Sequence, residues 1–251
     1  MTQSEQSAAL RALHVKGQPL VLYNIWDAGS AKAVASSGAK AVATGSWSVA
    51  AAQGFSDGEA IPMPLLLEIV ERIVGAVDLP VSVDFEGGYA QDGPEVTRNV
   101  ARLLATGAVG LNFEDQRVGG EGLFSIEHQT VRVAAVRAAS GDVVINARTD
   151  LFLKEKDAAK HISLVDEAVA RGKAYAGAGA DCFFVPGLTD VTLMEQICAR
   201  CPVPVNVMHS GPVAEIPALA AAGVGRVSFG PNPFRSATAT LKEQAKAAID
   251  Q

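Results

Sequence analysis

The sequence predicts an α/β fold, a single (β/α)8 barrel of TIM type with an N-terminal helix, spanning residues 1–251. Three observations carry that expectation. Apolar runs of four to six residues alternate eight times with helical patterns, with no Ser- or Pro-rich linker between them, which is how alternating strand and helix is written in sequence. Several helical patterns end in glycine followed by Ala or Val, as in Ser37-Gly38-Ala39, Thr106-Gly107-Ala108, Ala178-Gly179-Ala180 and Ala222-Gly223-Val224. Glycine there suits a helix C-terminus turning back into a strand. The turn after the first run, Asn24-Ile25-Trp26-Asp27-Ala28-Gly29-Ser30, lacks the glycine fingerprint with which an open doubly wound sheet holds its ligand, so closure into a barrel is preferred.

The expected strands, in order, are Leu20 to Asn24, Ala41 to Thr44, Val81 to Asp84, Gly110 to Phe113, Val143 to Ala147, Cys182 to Val185, Val203 to Val207 and Arg226 to Phe229. Helices of period 3.6 fall between them, such as Pro64 to Val77 with Leu65, Ile69, Ile73 and Val77 on one stripe. A last helical pattern, Ser236 to Gln251, carries a small-residue face of Ala237, Ala239, Leu241, Ala245 and Ala248. A chain of 251 residues with 49% hydrophobic and 19% charged content is ordinary for a water-soluble α/β protein. The net charge of −6, with Lys and Arg scattered, offers no basic face for nucleic acid. No signal-peptide pattern and no stretch of about 18 apolar residues occurs, so no membrane partner and a cytoplasmic location are expected. Three cysteines, Cys182, Cys198 and Cys201, fit a reducing compartment. Cys198 and Cys201 have redox spacing but close a helical pattern before Pro202, and are read as structural thiols.

Barrel enzymes place their chemistry at the C-terminal ends of the strands. Those ends collect Asn24, Trp26 and Asp27; Gly45, Ser46 and Ser48; Asp84 and Glu86; Asn112, Glu114 and Asp115; Asn146, Arg148 and Asp150; Asn206 and His209; and Asn232. The opposite ends offer little that reacts. The organising stretch is Val81-Ser82-Val83-Asp84-Phe85-Glu86-Gly87-Gly88. Asp84 and Glu86 stand two apart, so a continued strand points both to one side. They are either metal ligands or solvated turn acids. With Glu114 they make three carboxylates on two neighbouring strands, enough to hold Mg2+, or Mn2+, partly through water. Arg148 is suited to grip a carboxylate in bidentate fashion, or else closes a buried ion-pair network with Glu114 or Asp84. No lysine stands at a strand end, which removes the Schiff-base route. Gly230-Pro231-Asn232 is a phosphate cradle or, lacking a companion glycine loop, a turn. His209 is either an acid or base or an exposed loop residue.

These phrases together resemble the isocitrate lyase and phosphoenolpyruvate mutase superfamily. The matching residues are Asn24 with Trp26-Asp27-Ala28 and Ser30-Ala31, Thr44-Gly45-Ser46, the Gly54 to Asp57 turn, Asp78-Leu79-Pro80 leading to Asp84 and Glu86, Asn112-Phe113-Glu114-Asp115, and Ala147-Arg148-Thr149-Asp150. The resemblance implies Mg2+ surrounded by Asp84, Glu86 and Glu114, directly or through water, with Asp57 close by. It implies a small carboxylate substrate held near Trp26, Gly45, Ser46, Asn112, Asn206, His209 and Arg148, and catalytic roles for Arg148, Glu114 and Asp57 as an enolate forms. It also implies a homodimer or homotetramer whose last helix is exchanged between subunits. Two departures stand out. The loop Gln116 to Phe124 lacks both the Lys-Lys-Cys-Gly-His phrase of the lyases and the lid residues of the phosphonate enzymes, and Asp84-Phe85-Glu86 replaces the more usual Asp-x-Asp. Gly119, Gly120 and Gly122 give that loop the freedom of a closing lid. The leading expectation is a decarboxylase or retro-aldol lyase for an oxaloacetate-like or malate-like acid. The alternatives are a phosphonopyruvate-type mutase or hydrolase, and a keto-acid-binding protein without catalysis.

Overall fold

A computed structural model describes residues 1–250 and contains eight parallel strands with helices between them. The strands are β1 (Leu20–Leu22), β2 (Val42–Ala43), β3 (Val81–Asp84), β4 (Gly110–Glu114), β5 (Val144–Arg148), β6 (Cys182–Phe184), β7 (Val205–Met208) and β8 (Arg226–Ser228). They pair in the order β1-β8-β7-β6-β5-β4-β3-β2. A parallel bridge between Ile25 and Thr44 closes the ring, with the Ile25 N–H donating to the Ala43 carbonyl at 2.9 Å. All eight expected strands are present. The largest shift is at β7, which starts at Val205 rather than Val203; Pro204 has no N–H to give the ladder. The helix expected over Pro64 to Val77 runs Met63–Val74 and stops against Gly75.

One end of the barrel is sealed. The helix Gln3–Ala12 opens with a capping box between Thr2 and Glu5, and its Leu10, fully buried, plugs the base among Leu20, Leu22, Val109 and Val144. A Cβ on Gly110 would stand 2.8 Å from the Leu10 side chain, so glycine is the residue that lets this plug enter. Arg11 pairs with Asp181 at 2.8 Å and ties the helix to the rim of the base. Outside the barrel, Val, Ile, Leu and Phe side chains from strands and helices form the main core. The mouth at the strand C-termini is the open end. No helix among the described residues is long and apolar enough to cross a membrane.

Candidate active site

Strand register assembles the mouth. Asp84 of β3 lies opposite Asn112 of β4, which lies opposite Asn146 of β5; two residues on, Glu114 lies opposite Arg148. Barrels usually fill this interior with branched apolar side chains, yet Asn112, Asn146, Asn206 and Arg226 are buried here. Asn146 and Arg226 hydrogen-bond to Asn112 and so orient the acid beside it, while Asn206 bonds Ser228. Asn146 Nδ2 and Arg226 Nη2 both donate to Asn112 Oδ1, at 2.8 and 3.2 Å. Asn112 Nδ2 is thereby turned to Asp84 Oδ1 at 3.2 Å, while the Ser46 N–H donates to Asp84 Oδ2 at 3.0 Å.

Arg148 is fixed from the other side. Its Nε and Nη2 donate to Asp150 at 2.5 and 2.9 Å, and its Nη1 lies 3.0 Å from Glu114 and 3.8 Å from Asp84. Asp150 is itself anchored, since its N–H donates to Asp115 Oδ1 at 3.0 Å. Asp115 Oδ2 in turn accepts from Tyr175 Oη at 2.8 Å and Arg171 Nη1 at 2.9 Å. Burial works against the charge on Arg148, but Glu114, Asp150 and Asp84 outweigh it and raise its pKa well above the ordinary value. Arg148 thus closes an ion-pair network and also borders the open cavity.

That cavity is about 170 Å3. Its polar wall comprises Asn24, Ser46, Asp57, Asp84, Asn112, Arg148 and Ser228, and its apolar wall includes Trp47, Leu153, Phe184 and Met208. A volume this small, against the ~300–1,000 Å3 of drug-sized sites, suits a small acid.

Several expected residues lie elsewhere. Trp26 packs edge-on against Phe234 with ring centroids 5.1 Å apart and borders a groove outside the cavity; Trp47 occupies the cavity instead. Asn206 is sealed in the barrel, donating to Ser228 Oγ at 3.2 Å. His209 turns away, with Nε2 3.0 Å from the Pro212 carbonyl, and it is Met208 that borders the cavity. Glu86 lies past the end of β3 at Asp84 and adopts a left-handed φ of 49°, while its carboxyl stays close enough to Asp57 and Asp84 to be raised by both. A residue in that region leaves the strand's alternation. Its Oε2 accepts from the Glu59 N–H at 2.9 Å, and Glu59 Oε1 accepts from the Tyr89 N–H at 2.8 Å. Glu114 faces Arg148 beneath the cavity rather than lining it. Gly45, as expected, borders the cavity.

The loop Gln116 to Phe124 forms a tight hairpin turn. Gln116 and Leu123 bridge antiparallel, and the Arg117 N–H donates to the Gly122 carbonyl at 3.2 Å. Gln116 and Val118 border a second cavity, with Glu59, Tyr89 and Arg132, and none of the loop's residues borders the first. Arg132 had no place in the sequence reading. It is 1% exposed, lies between the rings of Phe113 and Phe124 at 4.7 and 4.3 Å, and donates to the carbonyls of Glu114, Gly87 and Ala90. It thus pins the turn that carries Glu86. A signal existed: Gln129 and Arg132 share the buried stripe of the helix Ile126–Ala139 with Val133 and Val136, and polar residues on such a stripe mark buried hydrogen bonding.

The electrostatics test whether these residues suit a divalent cation. Asp57, Glu59, Asp84, Glu86, Glu114 and Asp150 face three guanidiniums, Arg148, Arg132 and Arg226. Burial, then Asp57 and Asp84, pushes the Glu86 carboxyl up to about 8. Burial also raises Glu114, against the pull of Arg148. Asp57 stands at the exposed rim and is raised by partial burial and by Asp84, with Arg148 and Ser46 opposing. Such an excess of negative charge is relieved by a proton or a cation. Among the described residues no three His, Cys, Asp or Glu side chains converge closely enough to chelate an ion directly. The donor set fits Mg2+ held by one carboxylate and several waters, which is how that ion commonly binds.

A family model described as phosphoenolpyruvate phosphomutase matches residues 10–249. A solved structure from Burkholderia cenocepacia J2315, provisionally named a phosphonomutase, superposes with a TM-score of 0.94 at 45% identity, covering 98% of this chain and 99% of that one. The 2-methylisocitrate lyase of Escherichia coli is 30% identical over 215 residues, 82% of this chain and 70% of the relative. An oxaloacetate decarboxylase from Bradyrhizobium is 32% identical over 213 residues, 81% of this chain and 70% of the relative.

Proposed function

The chain belongs to the phosphoenolpyruvate mutase and isocitrate lyase superfamily, and from that premise we propose that it is a Mg2+-dependent carbon–carbon lyase for a small α-keto or α-hydroxy diacid, oxaloacetate-like or malate-like. The observation that carries this reading is the pairing of Asp84 and Arg148 in one small cavity, amid more carboxylates than the local cations neutralise. Asp84 would hold the metal directly, with Asp57, Glu86 and Glu114 acting through water. Bound there, Mg2+ would supply Lewis-acid polarisation of the substrate's α-oxygen. Arg148, preorganised by Asp150, stabilises the negative charge that develops as the bond at C3 breaks. Asn112, held by Asn146 and Arg226, keeps Asp84 in place. Asp57 at the rim, its carboxyl raised above the ordinary value by burial and by Asp84, is the group suited to carry a proton. Among the described residues no lysine or cysteine lines the cavity, which supports an enolate route over a Schiff base.

The test is turnover of a panel of such acids with Mg2+ and with EDTA. Activity lost in EDTA and reduced at least ~100-fold in Asp84→Ala is expected, since removing one preorganised electrostatic partner costs a factor of that order. Metal-independent turnover would sink the reading. A second reading, phosphonate rearrangement or hydrolysis, draws support from the 45% identical structure; phosphorus NMR with phosphonopyruvate as substrate decides it. For assembly, we propose a dimer or tetramer with exchanged last helices. The helix Asn232–Ile249 is exposed from Arg235 onward, with Leu241 67% exposed, and β1 leaves Val21 and Tyr23 uncovered. A monomer in light scattering would contradict this.

A further inference from the structure

The cavity has one lining cation, Arg148. Its Nε and Nη2 are taken by Asp150 and its Nη1 by Glu114. A diacid whose α-oxygen and first carboxylate sit at a metal still brings a second carboxylate, and the charge of Arg148 is already shared among Asp150, Glu114 and Asp84. Arg235 stands next to two residues of the cavity wall, Trp47 and Pro231. It lies in the first turns of the helix Asn232–Ile249, and its N–H donates to the carbonyl of Pro231, itself a cavity residue. Its guanidinium carbon is 4.5 Å from the centroid of the Trp47 ring. Trp47 borders the cavity and is steadied edge-on by Phe234 at 5.9 Å. Among the described residues no carboxylate lies within ion-pairing distance of Arg235.

We infer that Arg235, stacked on Trp47 of the cavity wall, is the specificity-determining residue that grips the distal carboxylate of a small diacid. This rests on the function proposed above. Stacking occupies the face of the guanidinium and leaves its in-plane N–H fork free for a bidentate carboxylate. The aromatic support fixes the arm beforehand and lowers the ordering cost of binding. A cation on a carboxylate that departs would stabilise the ground state more than the transition state. The substrate read in this way therefore keeps its distal carboxylate, as a malate-like 2-hydroxy diacid does in retro-aldol cleavage. There the C2–C3 bond breaks, the hydroxyl at C2 gives up its proton as the carbonyl forms, and the bonding pair moves onto C3 beside the gripped carboxylate, where a proton is taken up.

Calorimetry with Mg2+ on the full chain, using oxalate and malate as probes, separates the outcomes. Oxalate has no distal group to grip. Arg235→Gln is expected to weaken malate binding about ten- to hundred-fold, the factor for ~1.5–3 kcal/mol of a charge-assisted hydrogen bond, and to leave oxalate binding within about twofold. Arg235→Lys, which keeps charge without the fork, falls between. Equal malate affinity in wild type and Arg235→Gln, with oxalate bound by both, overturns the Arg235 assignment alone. Parallel loss of oxalate and malate overturns it as well, by marking general damage to the site. Failure of the wild type to bind either probe with Mg2+ removes the functional reading and this inference with it.

Discussion

Replacing Asp150 by Asn isolates the device that aims Arg148. The two side chains are nearly isosteric, so the cavity keeps its shape while the bidentate pairing at 2.5 and 2.9 Å loses its charge. One amide oxygen still accepts one N–H of Arg148, but the amide nitrogen now meets the other donor. The loss is about one charge-assisted hydrogen bond, ~2 kcal/mol. It stays below the ~3–5 kcal/mol of a buried charge stripped of its partner, because Glu114 remains 3.0 Å and Asp84 3.8 Å from Arg148 Nη1. Released from Asp150, the guanidinium swings toward Glu114 and away from the substrate. A misplacement of that kind costs on the order of 100-fold in kcat/KM. The assay pairs urea denaturation with turnover of whichever acid the wild type accepts. Unchanged kcat/KM at a stability loss of about 2 kcal/mol would refute the positioning role.

Two further outcomes follow from the same geometry. In metal-free protein Glu86 is pushed up to about 8 from an ordinary 4.5, so the native state binds its proton more tightly than the unfolded chain, and stability falls as pH rises through that window. The span from 4.5 to 8 corresponds to a few kcal/mol, at ~1.4 kcal/mol per pKa unit. Denaturation in EDTA at pH 5 and pH 8 is expected to show Glu86→Gln flatter with pH and more stable than wild type at pH 8, with Mg2+ narrowing the gap; a wild type insensitive to pH across that window would contradict this. Arg132→Met leaves the carbonyls of Gly87 and Ala90 without their donor, while that of Glu114 keeps Gln129 Nε2, and a loss of ~3 kcal/mol or more is expected in urea melts, at ~1–3 kcal/mol per stranded group; a change under about 1 kcal/mol would mean that the turn holds without it.

The barrel was legible because strand and helix periods and the glycine exits repeat eight times along the chain, and such signals are local. The row Asp84, Asn112, Arg148 was legible too, since strand-end position alone puts those residues in the mouth. What escaped depends on torsions and on distant partners. Glu86 shares the spacing of Asp84, but its left-handed backbone at φ 49° ends the alternation. Trp26 and Trp47 both follow strands; Trp26 precedes the N-cap Asp27, whose carboxylate accepts from the Ser30 N–H, and turns outward onto Phe234. His209 looks free in sequence and is held by the Pro212 carbonyl. The three glycines of the 116–124 loop suggest an open lid, whereas Gly119 and Gly122, at φ 73° and 70°, serve a closed turn. Arg235 is one more surface cation in the chain until the fold lays it over Trp47.

The central claim is that Asp84 anchors a Mg2+ on which a small carboxylate binds, and calorimetric titration of oxalate into metal-stripped protein, with and without Mg2+, tests it most directly. The account predicts binding only with Mg2+, and its loss in Asp84→Asn, which keeps the hydrogen bonds of the site but not the charge. Oxalate binding of equal strength without the metal, or retained in Asp84→Asn, would contradict it.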